Sequence, residues 1–83
     1  MQLQPGQVVC SLAGRDAQGL FVVVACGEGW AALADGRRRP LERPKRKNIR
    51  HIRKTNTVLD PSGINTNLKL RRALTAFRAG KEE

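Results

Sequence analysis

The sequence predicts a mainly β fold, in which a small antiparallel β-barrel is followed by one C-terminal α-helix. Short apolar segments with strand-like alternation lie close together between residues 7 and 34, and glycine-containing turns separate them. A later segment, residues 67–79, instead repeats its apolar side chains at helical spacing. Short strands joined by tight turns close most readily into a bent barrel, because closure removes unpaired edges. A length of 83 residues allows one small domain.

The first two strands follow from the distribution of apolar residues. Residues 7–12 come after a Pro5-Gly6 turn and place alternate side chains on two faces. The segment AGRDAQG has turn composition, since it holds two glycines, an aspartate and small residues. Residues 20–26, LFVVVAC, are apolar on both faces, so we predict a central strand that is buried on both sides.

A hairpin and a third strand complete the apolar half of the chain. The GEG sequence at residues 27–29 is predicted as a tight hairpin connection, and residues 30–34, WAALA, run back as the third strand. The Asp35-Gly36 pair then ends this strand in another turn.

The middle of the chain is less regular. Pro40 and Pro44 exclude a continuous helix there, because each lacks an N–H and restricts the residue before it. Residues 47–53 resume alternation and are predicted as a short strand with room for a bulge, since its two isoleucines lie three apart. The polar KTNTVLDPSGIN stretch has linker composition. We therefore divide the chain into a barrel over residues 1–56, a linker over 57–65 and a helix with its tail over 66–83.

The last predicted element is a helix over residues 67–79. Thr66 is its predicted N-cap, and Gly80 is its C-terminal stop. One face carries Leu70, Ala73, Leu74 and Phe77. A helix of this length is marginally stable alone in water, so it must pack on the barrel or on a partner.

All of the excess positive charge lies in one segment, GRRRPLERPKRKNIRHIRK, residues 36–54. The segment holds ten Lys or Arg and one acid, which gives +9, the net charge of the whole chain (sixteen basic minus seven acidic residues). Charge of this sign and density attracts polyanions, above all nucleic acid. Because two prolines stiffen the segment and Ile49 and Ile52 have the character of core anchors, we predict a loop and strand displayed from the barrel rather than a disordered tail.

Other classes of function find little support in the composition. Seven scattered acids and one histidine assemble no catalytic constellation, so we expect no enzyme and no small-molecule substrate. Cys10 and Cys26 lack C-x-x-C spacing and His51 has no nearby partner, so we expect half-buried free thiols, no metal and no cofactor. The longest apolar run, residues 20–26, is too short to span a membrane, and no signal peptide is recognisable. A cytoplasmic location is the expectation.

Residues 6–26, GQVVCSLAGRDAQGLFVVVAC, resemble a KOW motif, the glycine-centred strand–loop–strand of ribosomal proteins and transcription elongation factors on an SH3-like barrel. The matching positions are Gly6, Val8, Val9, Gly14, Arg15, Asp16, Gly19 and residues 21–24. The continuation ALADGRRRPLERPKRKNIRHIRKTN is similar to small bacterial KOW-domain RNA-binding proteins, which are related to a large-subunit ribosomal protein family of archaea and eukaryotes. The resemblance covers residues 5–57, about two-thirds of the chain, and implies an SH3-like barrel and association with ribosomes.

The glycine loop departs from the usual KOW pattern. Gly19 comes one position late and is followed by Leu20 instead of a basic residue. The loop formed by Gly14, Asp16 and Gly19 is still expected to turn and to offer backbone N–H groups to an anion. Its only remaining cationic side chain is Arg15, which can bind phosphate bidentately or simply be solvated.

The expected function is non-catalytic binding of structured RNA, with ribosomal RNA as the first candidate. The predicted RNA-binding residues are Arg15, Arg37, Arg38, Arg39, Arg43, Lys45, Arg46, Lys47, Arg50, His51, Arg53 and Lys54. His51 serves equally well as a phosphate donor or as a plain strand residue. We expect a monomer, and ribosomal proteins are a second possible class of partner. Two alternatives stay open: an interaction module on a ribosomal or transcription-machinery protein, and a non-specific nucleic-acid binder.

The three aromatic residues are predicted to be structural. Phe21 is expected in the core and Phe77 at the contact between the helix and the barrel. Trp30, the only tryptophan, begins a strand and is also predicted as a core residue, with base stacking as the alternative.

Overall fold

A computed structural model describes residues 2–12, 14 and 19–80. Five strands form one antiparallel sheet in the order β4-β3-β2-β1-β5. They are β1 (Gln7–Ser11), β2 (Leu20–Gly27), β3 (Trp30–Ala34), β4 (Lys45–Asn48) and β5 (Ile52–Val58). In this described part of the chain, one α-helix follows, α1 (Asn67–Arg78). The predicted fold class, a small barrel-like β structure with one C-terminal helix, is confirmed.

The sheet is buried on both of its faces. The inner face carries one apolar cluster: Val9, Phe21, Val23, Ala31, Leu33 and Ile52. The second cluster lies between the outer face and α1: Val8, Val22 and Ala34 from the sheet, Leu59 and Ile64 from the connection to the helix, and Leu70 and Leu74 from α1. The alternation of β2 divides Phe21 and Val23 from Val22, and all three are buried. The prediction of a central strand buried on both sides is therefore confirmed, and Phe21 is a core residue as expected.

The first half of the chain follows the predicted order of elements. β1 ends one residue before its predicted end, and β2 extends one residue further, through Gly27. Glu28 and Gly29 then make the hairpin turn into β3, which has its predicted bounds. Both cysteine thiols are free and half-buried, as expected for small residues on separate strands.

The predicted single strand over residues 47–53 is wrong. These residues divide into the end of β4, a 3₁₀ turn (Ile49–His51) and the start of β5. Asn48 causes the break, because its side-chain oxygen accepts the N–H of Arg50 at 3.0 Å and competes with the strand ladder. The turn is tied on both sides: Ile49 N–H donates to the carbonyl of Gly29 at 3.1 Å, and Leu12 N–H donates to that of His51 at 2.8 Å. Two isoleucines three apart thus fit a turn that returns Ile52 to the core.

Residues 54–58, whose polar composition suggested the start of a linker, instead continue β5. The Thr55 hydroxyl donates to the carbonyl of Val8 at 2.7 Å. The buried amide of Gln7 donates from Nε2 to the carbonyls of Thr55 (2.9 Å) and Thr57 (3.3 Å), where the pairing of β1 and β5 is irregular. Polar side chains suit this strand because it is an edge of the sheet, with one side open to solvent.

The C-terminal helix has the predicted caps and the predicted buried face. Thr66 accepts the N–H of Lys69 at 3.2 Å, and Gly80 has the positive φ of +79° that a helix-terminating glycine adopts. Leu70 is fully buried against the outer face of the sheet, and Phe77 packs beside it. Of the two alternatives left open for this helix, the structure shows packing on the sheet.

Candidate nucleic-acid interface

The loop between β3 and β4, residues 35–44, is ordered by its own hydrogen bonds. The Asp35 carboxylate accepts the N–H groups of Arg37 at 2.8 Å and Arg39 at 3.0 Å. In return, the N–H groups of Asp35 and Gly36 donate to the carbonyl of Arg39 at 2.9 and 3.2 Å. Gly36 has a φ of +81°, a conformation that L side chains rarely adopt. The arginines that follow are therefore held on a defined backbone.

One side chain at the start of α1, Asn67, makes two hydrogen bonds to the same loop. Its Oδ1 accepts the N–H of Leu41 at 2.8 Å, and its Nδ2 donates to Glu42 Oε1 at 2.8 Å. This hydrogen bond is the main cause that lowers the pKa of the Glu42 carboxyl. A Cβ on Gly36 would lie 2.5 Å from the carbonyl oxygen of Asn67, so the two segments are in close contact. The loop and the helix therefore form one surface.

The basic residues of the strands reach both faces of the sheet. Directly paired residues share a face, and Lys45 and Lys47 pair with Leu33 and Ala31 of the inner cluster. Arg46, between them, lies on the outer face. In β5, by the same alternation, Lys54 lies on the inner side and Arg53 on the outer side. The basic side chains of β4 and β5 therefore do not share one face of the sheet, because side chains alternate along an extended chain.

Gly14, at the start of the glycine loop, lies next to the basic run. A side chain at Gly14 would come within 3.5 Å of Lys47 Nζ. The ends of the loop are held by β1, where Ser11 N–H donates to the carbonyl of Gly19 at 3.1 Å. Arg15 and Asp16 lie outside the described residues. The structure thus brings Gly14 close to Lys47, two residues that the sequence suggested only as parts of separate contacts.

Trp30 is not a core residue, which corrects the prediction. It is half-buried and belongs to neither apolar cluster. The guanidinium of Arg46 lies over its ring, 4.1 Å from the ring centroid, in a cation–π contact. On the same face the ring packs against Gly27, where any side chain would clash with it. Trp30 lies outside the core because α1 covers only part of the outer face, leaving Ala25 and Gly27 exposed.

Most of the predicted RNA-binding side chains are exposed. Exposed members of the run are Arg37, Arg38, Arg43, Lys45, Arg46, Arg50, His51, Arg53 and Lys54, while Arg39 and Lys47 are half-buried. The acids nearby accept hydrogen bonds from uncharged groups instead: Asp35 from backbone N–H groups and Glu42 from an amide. Ten basic residues and one acid within residues 36–54 generate a strong positive potential at this surface.

The sequence reasoning missed three arginines on α1. Arg71, Arg72 and Arg78 line open clefts between the helix and the β3–β4 loop, and Arg37 lies across from them. The apolar periodicity of the helix predicts only its buried face, and the chain outside residues 36–54 has no net charge that would draw attention to them. One signal was present: NLKLRRALTAFR contains four basic residues and no acid.

No family model matches this sequence, and no curated protein is similar enough to it to count as a relative. Among the described residues, no three His, Cys, Asp or Glu side chains come together as a metal site would require. The helices in that part of the chain are all too short or too polar to cross a membrane.

Proposed function

We propose that this protein is a non-catalytic RNA-binding protein whose basic run, residues 37–54, binds structured RNA, with ribosomal RNA as the expected target. One observation carries the proposal. Ten lysines and arginines stand on an ordered loop, an edge strand, a turn and a second strand, and most of them are exposed. A disordered polycation would lack this fixed arrangement, which restricts the shapes of polyanion that can meet many charges at once.

Arginine is the dominant cation of the run, and its chemistry suits phosphate. A guanidinium donates two parallel hydrogen bonds to one phosphate, whereas an ammonium acts as a point charge. Double-stranded RNA is recognised largely by its shape and through phosphates and 2′-hydroxyls, because its deep major groove does not admit side chains. A rigid surface of cations around an edge strand is consistent with that kind of recognition.

The resemblance to KOW-domain proteins supports association with ribosomes. In that family the motif lies on a small barrel, and the structure of this chain has a barrel-like sheet with Gly14 next to Lys47 of the basic run. We propose an accessory role in translation, in the cytoplasm, for a protein that acts as a monomer.

The test uses a variant that removes only exposed charges: Arg37, Arg38, Arg43, Lys45 and Arg50, each changed to Gln. Arg39 and Lys47 are left intact because they are half-buried, and Arg46 because it covers Trp30. We expect the natural protein to sediment with ribosomes in moderate salt and the variant to remain in the supernatant. A matched control changes the four arginines of this set to Lys, which keeps the charge and should retain part of the binding. Unaltered thermal unfolding of both variants shows that the fold is intact.

Two results would contradict the proposal. A glutamine variant that still sediments with ribosomes would indicate docking on a ribosomal protein through another surface. Equal affinities for duplex RNA, single-stranded RNA and duplex DNA at one salt concentration would indicate a non-specific nucleic-acid binder.

A further inference from the structure

Two clefts lie side by side between α1 and the β3–β4 loop, and they share three lining residues, Arg37, Arg71 and Thr75. The larger cleft has a volume of about 480 Å³ and the smaller about 250 Å³. Arg72 lines the larger cleft, and Arg78 lines the smaller. We refer to the two together as the helix–loop cleft.

The charges around the helix–loop cleft are almost all of one sign. The larger cleft has no acidic residue in its described lining, and the smaller has Asp35 alone. The Asp35 carboxylate already accepts two backbone N–H groups of its own loop. Like charges gathered from distant parts of the chain repel one another, and a bound anion relieves that repulsion.

Arg71 adds a second, independent sign of an anion site. Its Nε is buried and has no hydrogen-bond acceptor among the described residues. Buried donors in native proteins are almost always paired, so this unpaired one favours a small turn of the guanidinium towards an acceptor bound in the clefts that Arg71 lines. Its aliphatic stem packs against Gly36, which holds the guanidinium at the junction of the two clefts.

The shape of the helix–loop cleft favours a chain of phosphates over a single enclosed ligand. Both parts are open and adjoin along the helix, and the apolar side chains of Leu68, Ala76 and Ala79 line the larger one between its arginines. Arg37 belongs both to this cleft and to the basic run, so a polyanion on the run can continue into the cleft without a break.

We infer that the helix–loop cleft binds backbone phosphates of the same RNA that the basic run binds, so that α1 is part of the RNA interface. This inference rests on the proposed function. Arg71 and Arg37 contact phosphate at the junction, and Thr75 offers a hydroxyl donor there. Arg72 extends the interface into the larger cleft, and Arg78 extends it into the smaller one.

The test measures binding of a fluorescent RNA duplex over a range of salt concentrations. The double variant Arg72→Gln/Arg78→Gln removes two exposed arginines, so the fold is retained. We expect it to bind more weakly than the natural protein, with a salt slope smaller by roughly 0.7 to 0.9 for each phosphate that the variant no longer neutralises. Lys69→Gln is the matched control, because Lys69 is exposed on the same helix but lines neither cleft. Its affinity and slope should stay close to those of the natural protein.

The outcomes separate this inference from the proposed function. If the double variant binds like Lys69→Gln while the five-residue glutamine variant of the run loses binding, the helix–loop cleft takes no part and the proposed function stands. If both the double variant and the run variant keep full affinity, both ideas are wrong.

A second measurement distinguishes RNA from a free phosphate compound as the ligand. The Nε–H signal of Arg71 is followed by NMR during titration with the RNA duplex or with inorganic phosphate. We expect a shift with RNA at concentrations where inorganic phosphate gives none. A saturable shift with inorganic phosphate, together with unimpaired RNA binding by the double variant, would assign the cleft to small phosphorylated ligands and overturn the inference.

Discussion

At the scale of single residues, Gln7 shows how a buried polar side chain can hold an irregular strand pairing. Its amide donates to two carbonyls of β5 at the point where the β1–β5 register shifts. We predict that Gln7→Ala lowers the free energy of unfolding by about 1–3 kcal/mol, because two carbonyls lose their donor and a space opens. Urea denaturation measures the effect. Gln4→Ala, at an exposed position, is the control, and equal stability of the two variants would contradict this account.

The contact between Trp30 and Arg46 links the only tryptophan to the basic run, because the guanidinium that covers the indole belongs to that run. An exposed cation–π contact contributes only about 0.5–1 kcal/mol, so a phosphate can draw the guanidinium away. We predict that saturation with duplex RNA changes the tryptophan emission, and that Arg46→Gln lacks this change. Emission that is unaltered by RNA in the natural protein would place both residues outside the interface.

At the scale of elements, the packing of α1 on the outer face of the sheet is the largest contribution of the C-terminal segment to stability. Leu70 of this helix is fully buried between the helix and the sheet, whereas Leu68 on the same helix is 47% exposed. We predict that Leu70→Ala costs about 2–5 kcal/mol in the free energy of unfolding, through reduced burial and the cavity left behind. The matched substitution Leu68→Ala should change it by less than about 0.5 kcal/mol, as exposed positions do. Comparable losses for the two would mean that the helix does not dock as described.

The junction of the β3–β4 loop with α1 should make stability depend on pH. Hydrogen bonds lower the pKa values of Glu42, through Asn67, and of Asp60, through Ser62, in the folded state. A carboxyl group whose pKa is lower in the folded protein than in the unfolded chain stabilises the fold when it is ionised. This stabilisation is complete above the pKa of the unfolded chain, about 4 for these groups, and it is lost as the pH falls through the pKa of the folded protein. We predict that the thermal midpoint falls below about pH 4 and falls less steeply in Glu42→Gln.

The control for this prediction is Glu28→Gln, which removes an exposed carboxylate of the β2–β3 hairpin instead. It should keep the acid dependence of the natural protein. Part of that dependence should also persist in Glu42→Gln, because Asp60 still accepts its hydrogen bonds from Ser62. If the thermal midpoint of Glu42→Gln falls below pH 4 as steeply as that of the natural protein, the hydrogen bond to Asn67 does not stabilise the fold.

Elements set by local periodicity could be predicted from the sequence, whereas those set by tertiary context could not. β1, β2, β3 and α1 follow from alternation, glycine turns and caps. The break at Asn48 depends on one side-chain hydrogen bond, and the length of β5 depends on its place at the sheet edge. The exposure of Trp30 depends on how far the helix reaches across the sheet. The candidate site was predictable where the charge was dense in sequence, but the helix arginines join it only through folding.

At the scale of the whole molecule, the proposed function rests on the charge of +9 that residues 36–54 carry on an ordered loop, two strands and the turn between them. If six side chains of the basic run contact phosphates, the logarithm of the RNA affinity should fall by roughly 4 to 5 units per tenfold rise in salt, through counterion release. Titrations of a fluorescent RNA duplex at several salt concentrations measure this slope.

The five-residue glutamine variant should have a much smaller salt slope than the natural protein. The matched variant with lysines in place of the four arginines should keep the slope while weakening the affinity, because its charge is unchanged but bidentate bonding is absent. A weak salt dependence in the natural protein would mean that the charged surface is not what holds the RNA.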